Sequence, residues 1–158
     1  MKRFLAASVA ALLVSSAAVT VSAYDNPPKV EKATEAPLGK VPPLDAKDWK
    51  KQKSGLEIWD AKEGNGEAVA SGATVTVHYI GWLTNGKEFD ASKKGGVGEP
   101  ITFGLDQVIK GWQEGIPGMK PGGVRRLKIP AELAYGKRGA GDVIPPNSVL
   151  IFEVELVK

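Results

Sequence analysis

The chain has 158 residues, 42% of them hydrophobic and 25% charged, with 19 glycines, 11 prolines and no cysteine. That is ordinary globular composition, and it excludes a wholly disordered chain, a collagen-like repeat and a disulfide scaffold. The absence of cysteine and a single histidine, His78, leave a transition-metal or thiol site without its usual ligands, so no metal site is expected.

Met1-Lys2-Arg3 precedes an apolar run of 11 residues, Phe4 to Val14, and small residues follow as far as Val21-Ser22-Ala23. A basic start, a short apolar core and small residues at −3 and −1 predict a secretory signal peptide over residues 1–23, cleaved after Ala23. The apolar run is too short to cross a bilayer, so no membrane anchor is expected. Removing Lys2 and Arg3 from the 21 basic residues leaves 19 against 18 acidic ones. The net charge of +3 therefore belongs largely to the signal, and the electrostatic case for nucleic-acid binding goes with it. With no cysteine for lipid attachment and no retention tetrapeptide at the C-terminus, the expected location is the periplasm, or otherwise the medium.

Residues 24–53 carry Pro27, Pro28, Pro37, Pro42 and Pro43 among Lys and Glu, a composition that predicts an extended tether or loosely packed strap. Trp49 is its one large apolar group near the end, able to dock on the adjoining domain. That single domain is expected from residue 54 to 158. Gly55 to Trp59 alternates apolar and polar residues. Ala73 to Leu83 is a longer strand, with Val75, Val77 and Tyr79 on one face and Thr74, Thr76 and His78 on the other. Asn85-Gly86 signals a hairpin, and Glu88-Phe89-Asp90 begins its return strand. Lys93 to Gly98 reads as a glycine-rich loop, and Pro100 to Phe103 is extended again. Val108, Ile109 and Trp112 mark one face of a short helix closed by Gly115 and Pro117. Val124 to Ile129 sets Leu127 and Ile129 opposite Arg126 and Lys128. The last strand turns Leu150, Phe152, Val154 and Leu156 inward, Glu153 and Glu155 outward. The fold class is α+β: a mostly antiparallel sheet of about five strands with one short helix on its apolar face.

The chemistry-bearing residues are sparse. There is no G-x-S-x-G elbow and no thiol nucleophile. Gly136 to Gly141 lacks the Gly-Lys-Ser/Thr ending of a phosphate loop. His78 reads as a surface or packing residue. Asp90, Asp106 and Glu114 show no paired spacing of the glycosidase kind. The aromatic residues Tyr79, Phe89, Phe103, Trp112, Tyr135 and Phe152 come from separate elements, and their spacing alone indicates only an apolar pocket with polar tips.

Four motifs then occur in order: VTVHYIGWLTNGKEFDAS, QVIKGWQEGIPGMKPGG, RRLKIPAELAYG and VIPPNSVLIFEVELV. Together they resemble the FKBP-type peptidyl-prolyl isomerases, the macrolide-binding family, over roughly Gly55 to Lys158. The resemblance implies a curled sheet around a short helix, and rotation of Xaa-Pro bonds without cofactor, metal or covalent intermediate. It implies that Trp112 forms the pocket floor and that Tyr79, Phe89, Val108, Ile109 and Phe152 form the walls. Asp90 would sit at the rim as partner of Tyr79 or ligand. The Ile109 N–H and Tyr135 hydroxyl would bond substrate carbonyls, and Ile144 would close the top. Phe103 joins the substrate-binding set, and Ile101 stands where the family commonly carries an aromatic wall residue. Ala140 stands where some members have histidine.

The implied partners are proline-containing segments of unfolded or partly folded proteins, and macrolide inhibitors. A monomer is expected, since no dimerisation helix is visible. A folding chaperone or interaction module using the same pocket with little catalysis is the alternative. An exported carrier of a small apolar ligand would explain the pocket but not the ordered motifs.

Overall fold

The computed structural model describes residues 39–92 and 98–158, all within one compact unit, Lys32–Lys158. The predicted signal peptide 1–23, residues 24–38 of the predicted linker and residues 93–97 of the glycine-rich loop lie outside the described residues.

Strand β3 (Thr74–Leu83) organises the sheet. On one side it pairs antiparallel with β7 (Leu150–Leu156) along Val77–Leu83. Its other side is shared. The N-terminal half, Thr74–Val77, takes β5 (Ile101–Gly104), and Ile80–Trp82 takes β4 (Glu88–Ala91). Beyond β7 the order continues through β6 (Val124–Ile129) and β2 (Glu57–Lys62) to β1 (Lys50–Lys51), every pairing antiparallel. The described residues thus form seven strands where the sequence suggested about five. β1 lies in the segment read as linker, so the folded part begins before Ser54.

The hairpin turn between β3 and β4 follows from Asn85-Gly86. The Gly86 N–H donates to the Leu83 carbonyl at 2.9 Å, with Gly86 at φ 86°, a conformation that favours glycine. Only Gly86 has positive φ in this turn, which matches a three-residue loop ending in a bulge rather than a two-residue turn.

Alternation places Val75, Val77, Leu127, Ile129, Leu150, Val154 and Leu156 in the core, each at most 1% exposed. Helix α1 (Lys110–Gly115) lies on this inner face. It sits close because Gly111 and Gly115, one turn apart, face β6. A Cβ on Gly115 would come within 2.6 Å of Leu127, and one on Gly111 would overlap Ile129. On the outer face, Arg126 and Glu153 are expected from alternation to meet solvent, yet they are 0% and 8% exposed. Residues 39–49 cover them: the Gly39 N–H donates to Glu153 Oε1 at 2.7 Å, and Trp49 packs edge-on against Trp59 at 5.6 Å. Among the described residues no helix is long and apolar enough to cross a membrane.

Candidate active site

A cleft of about 520 Å³ opens where the helix, the curled sheet and two loops meet. Tyr79 enters from β3, Phe89 and Asp90 from β4, Phe103 from β5 and Phe152 from β7. Val108 and Ile109 lead into α1, and Trp112 is the third residue of that helix. Tyr135, 41% exposed, comes from the loop between two short 3₁₀ turns, Ala131–Leu133 and Gly136–Arg138.

Trp112 is the hub, 4% exposed. Tyr79, Phe103 and Phe152 meet its indole nearly perpendicularly, with ring centroids 5.4, 5.7 and 5.4 Å away. Edge-to-face pairs of this kind contribute ~0.5–1.5 kcal/mol each beyond area burial, so the floor is held in one orientation. The indole Nε1 is buried with no hydrogen-bond partner among the described residues. Phe89 stands perpendicular to Phe152 at 5.5 Å. Gly81 makes that wall possible: a Cβ there would lie 2.6 Å from Phe89 Cζ and 2.9 Å from Phe152 Cε1.

Polar groups appear at the edges of this apolar surface. The Tyr79 hydroxyl donates to Asp90 Oδ2 at 2.7 Å, and the Ala91 N–H donates to Asp90 Oδ1 at 2.9 Å. Burial pushes the Tyr79 phenol far above its ordinary range, and the bond to Asp90 and its charge push it further, with a smaller contribution from Tyr135. Tyr79 is therefore a neutral donor at physiological pH. Ile109 caps α1 in an extended conformation, φ −58° and ψ 150°, and its N–H belongs to the first-turn donors that have no partner within a helix. His78 lies outside the cleft, beside Ser92, and no group of three or more His, Cys, Asp or Glu side chains among the described residues is arranged to hold a metal ion. Such a site can bind and desolvate a flat, largely apolar group.

Residues 65–157 match the family described as FKBP-type peptidyl-prolyl cis-trans isomerase. The chain belongs to this family. It is 56% identical over 104 residues to an FK506-binding protein of Neisseria meningitidis serogroup B, covering 66% of this chain and 95% of that one. It is 52% identical over 105 residues to FK506-binding protein 1 of Dictyostelium discoideum, covering 65% and 96%. The fold is similar to that of FkpA from Escherichia coli, with a TM-score of 0.66 and 48% identity over 72% of this chain and 52% of that one. It is also similar to a peptidyl-prolyl isomerase of Pseudomonas syringae, with a TM-score of 0.64 and 38% identity over 71% and 80%.

Two residues assigned from the FKBP resemblance, Ile101 and Ile144, are not among the side chains that line the cleft. Ile101 opposes Val77 at the start of β5 and is 38% exposed. It shares a strand face with Phe103, but only the phenylalanine lines the cleft. Ile144 is 4% exposed and packs in the core. Its backbone bridges Ala140, the Ala140 N–H donating to the Ile144 carbonyl at 2.9 Å, and so closes the loop of residues 140–144. Conversely, Gln107 and Ala134 line the cleft without having been singled out. Each directly precedes an expected residue, Val108 or Tyr135, and neither side-chain type carries a signal of its own.

Proposed function

We propose that this FKBP-type isomerase accelerates cis–trans rotation of Xaa-Pro bonds in exported polypeptides that are unfolded or partly folded. The observation that carries the reading is the cleft itself: an aromatic floor and walls centred on Trp112, with Asp90, Gln107 and Tyr135 also in its lining. A proline ring stacks on Trp112, between Tyr79, Phe89, Val108, Ile109, Phe103 and Phe152. The Ile109 N–H and the Tyr135 hydroxyl hold carbonyls of the substrate chain. Asp90 keeps the Tyr79 hydroxyl directed along the rim.

The physics of the amide supports this assignment. Resonance gives the C–N bond partial double character and a rotation barrier of about 18–20 kcal/mol. The twisted transition state has lost that resonance, and with it much of the charge separation that water stabilises. An apolar cleft that excludes water therefore disfavours the planar ground state relative to the twisted one, and it can bind the twisted shape better. No proton, electron or covalent bond has to move between enzyme and substrate. The names of the relatives support binding of FK506-type macrolides in the same cleft. The N-terminal pattern supports export, with residues 24–53 following the cleaved signal and a monomeric product in the periplasm.

Exchange NMR on a short Leu-Pro peptide with residues 24–158 tests the activity. Acceleration that a macrolide blocks and that Phe89→Ala strongly reduces is the expected result. A folded protein that binds the peptide without accelerating exchange would overturn the enzymatic reading in favour of a holding module. Sequencing the exported protein tests the signal, which predicts Tyr24 as the first residue.

A further inference from the structure

Residues 39–49 run across the back of the sheet, touching side chains that alternate with those of the cleft. The Gly39 N–H bonds Glu153 Oε1, and Glu153 directly follows Phe152, a wall of the cleft. The other oxygen of Glu153 takes Arg126 Nε at 2.9 Å, and the Arg126 guanidinium lies 4.5 Å over the Trp59 ring. Val41 lies over the hairpin turn, its Cγ2 4.0 Å from where a Cβ on Gly86 would be. Pro42 is buried, and Lys128 Nζ donates to the Leu44 carbonyl at 3.3 Å. Trp49 Nε1 donates to the Pro43 carbonyl at 2.8 Å while its ring rests on Trp59. One segment thus runs beside the β3–β4 turn and touches β7, β6 and β2 before it joins the sheet as β1.

The cleft has an uneven need for such support. Phe152 lies in a strand paired on both sides, but Phe89 and Asp90 lie in β4, which only three register pairs hold to β3. We propose that residues 39–49 are a positioning element of the active site: from behind the sheet they hold the β3–β4 hairpin, and with it Phe89 and Asp90, in place against Phe152. This rests on the isomerase reading of the cleft.

The test uses the mature chain carrying Val41→Ser and Trp49→Ala, neither of which is in the cleft, with Trp49→Phe as the conservative partner that keeps a ring on Trp59. Amide hydrogen exchange reports release of residues 39–51 and of the hairpin 83–91. Circular dichroism and urea titration fix conditions under which every variant is fully folded. Under those conditions kcat/KM for Xaa-Pro exchange falls about tenfold in the released double variant, the scale expected for a wall misplaced by a fraction of an ångström. Hairpin amides then exchange faster, and Trp49→Phe stays near the unsubstituted chain. A released strap with unchanged kcat/KM and unchanged hairpin exchange overturns the proposal. If the unsubstituted chain accelerates nothing, the isomerase reading fails by itself. The strap proposal is then decided by hairpin exchange and by affinity for the proline peptide, and no change in either refutes it.

Discussion

Gly81→Ala isolates the cleft wall from the rest of the fold. Gly81 pairs with Phe152 on β7 and with Asp90 on β4, and its missing side chain is the space into which two rings lean. A methyl there would lie 2.6 Å from Phe89 Cζ, whereas ordinary contact begins near 3.4 Å, so the ring tip has to retreat by about 0.8 Å. Phe152 cannot give way, being 5% exposed and packed against Trp112 and Tyr79. Phe89 is only partly buried and faces the open cleft, so it moves. Phe89 yields toward the cleft but the 2.9 Å approach to Phe152 remains, so the stability loss falls within the ~1–3 kcal/mol typical of overpacking. The same displacement reshapes the wall a proline ring meets, and misplacement on the ångström scale costs catalysis ~10- to 100-fold. Urea titration and exchange NMR on one peptide read the two effects separately. Adding Phe89→Leu shortens one of the two clashing side chains and leaves the 2.9 Å approach to Phe152, so it recovers part of the stability but not the activity. Gly81→Ala with wild-type kcat/KM would refute the assignment of Phe89 as a working wall.

Tyr79→Phe changes the alkaline limb of stability. Unfolded tyrosine releases its proton near pH 10, while the buried phenol bonded to Asp90 keeps it. Above pH 10 the unfolded state therefore binds fewer protons than the native state, and stability falls as pH rises, by up to about 1.4 kcal/mol per pH unit from this group. The substitution removes that contribution, which paired urea titrations at pH 9 and 11 will show. Glu153→Ala leaves the fully buried Arg126 guanidinium without its carboxylate and destabilises by ~3–5 kcal/mol in urea, whereas Arg126→Met with Glu153→Leu restores most of the loss. Tyr135→Phe removes one rim donor worth ~0.5–1.5 kcal/mol, so KM rises about three- to tenfold with kcat little changed, as line-shape analysis over peptide concentration reports.

Alternation made the inner face of the sheet legible. Val75, Val77, Tyr79, Leu127, Ile129 and the four inward residues of β7 stand where period two places them. The same pattern failed on the outer face, because alternation identifies a face and not what covers it. Arg126 and Glu153 read as solvated charges, yet they are buried under residues 39–49, whose prolines had suggested an extended tether or a loosely packed strap. β1 was equally unreadable: Lys50-Lys51 has no apolar signal, and its strand exists because the edge of β2 offers it hydrogen bonds. At the cleft, Trp112, Tyr79 and Phe152 followed from the motifs because large rings at these positions have few alternative places to go. Ile101 and Ile144 are outside the cleft's lining, since aliphatic residues beside a cleft can equally turn to solvent or to the core. Ile101 does the first and Ile144 the second.

The distribution of polarity in the cleft follows from the reaction. A hydrogen bond to the carbonyl of the rotating amide favours its dipolar, planar form and so raises the barrier it has to lower. Donors are useful only if they bind neighbouring carbonyls and leave the rotating bond in an apolar setting. Tyr135 lies at the exposed rim, and Ile109 lies where the chain enters the helix. The space over Trp112 is bounded by rings, and the hydroxyl of one of them, Tyr79, is committed to Asp90. On the proposed reading of the cleft, the Asp90–Tyr79 bond therefore also keeps the Tyr79 hydroxyl from donating to the rotating carbonyl, where a donor would slow the rotation.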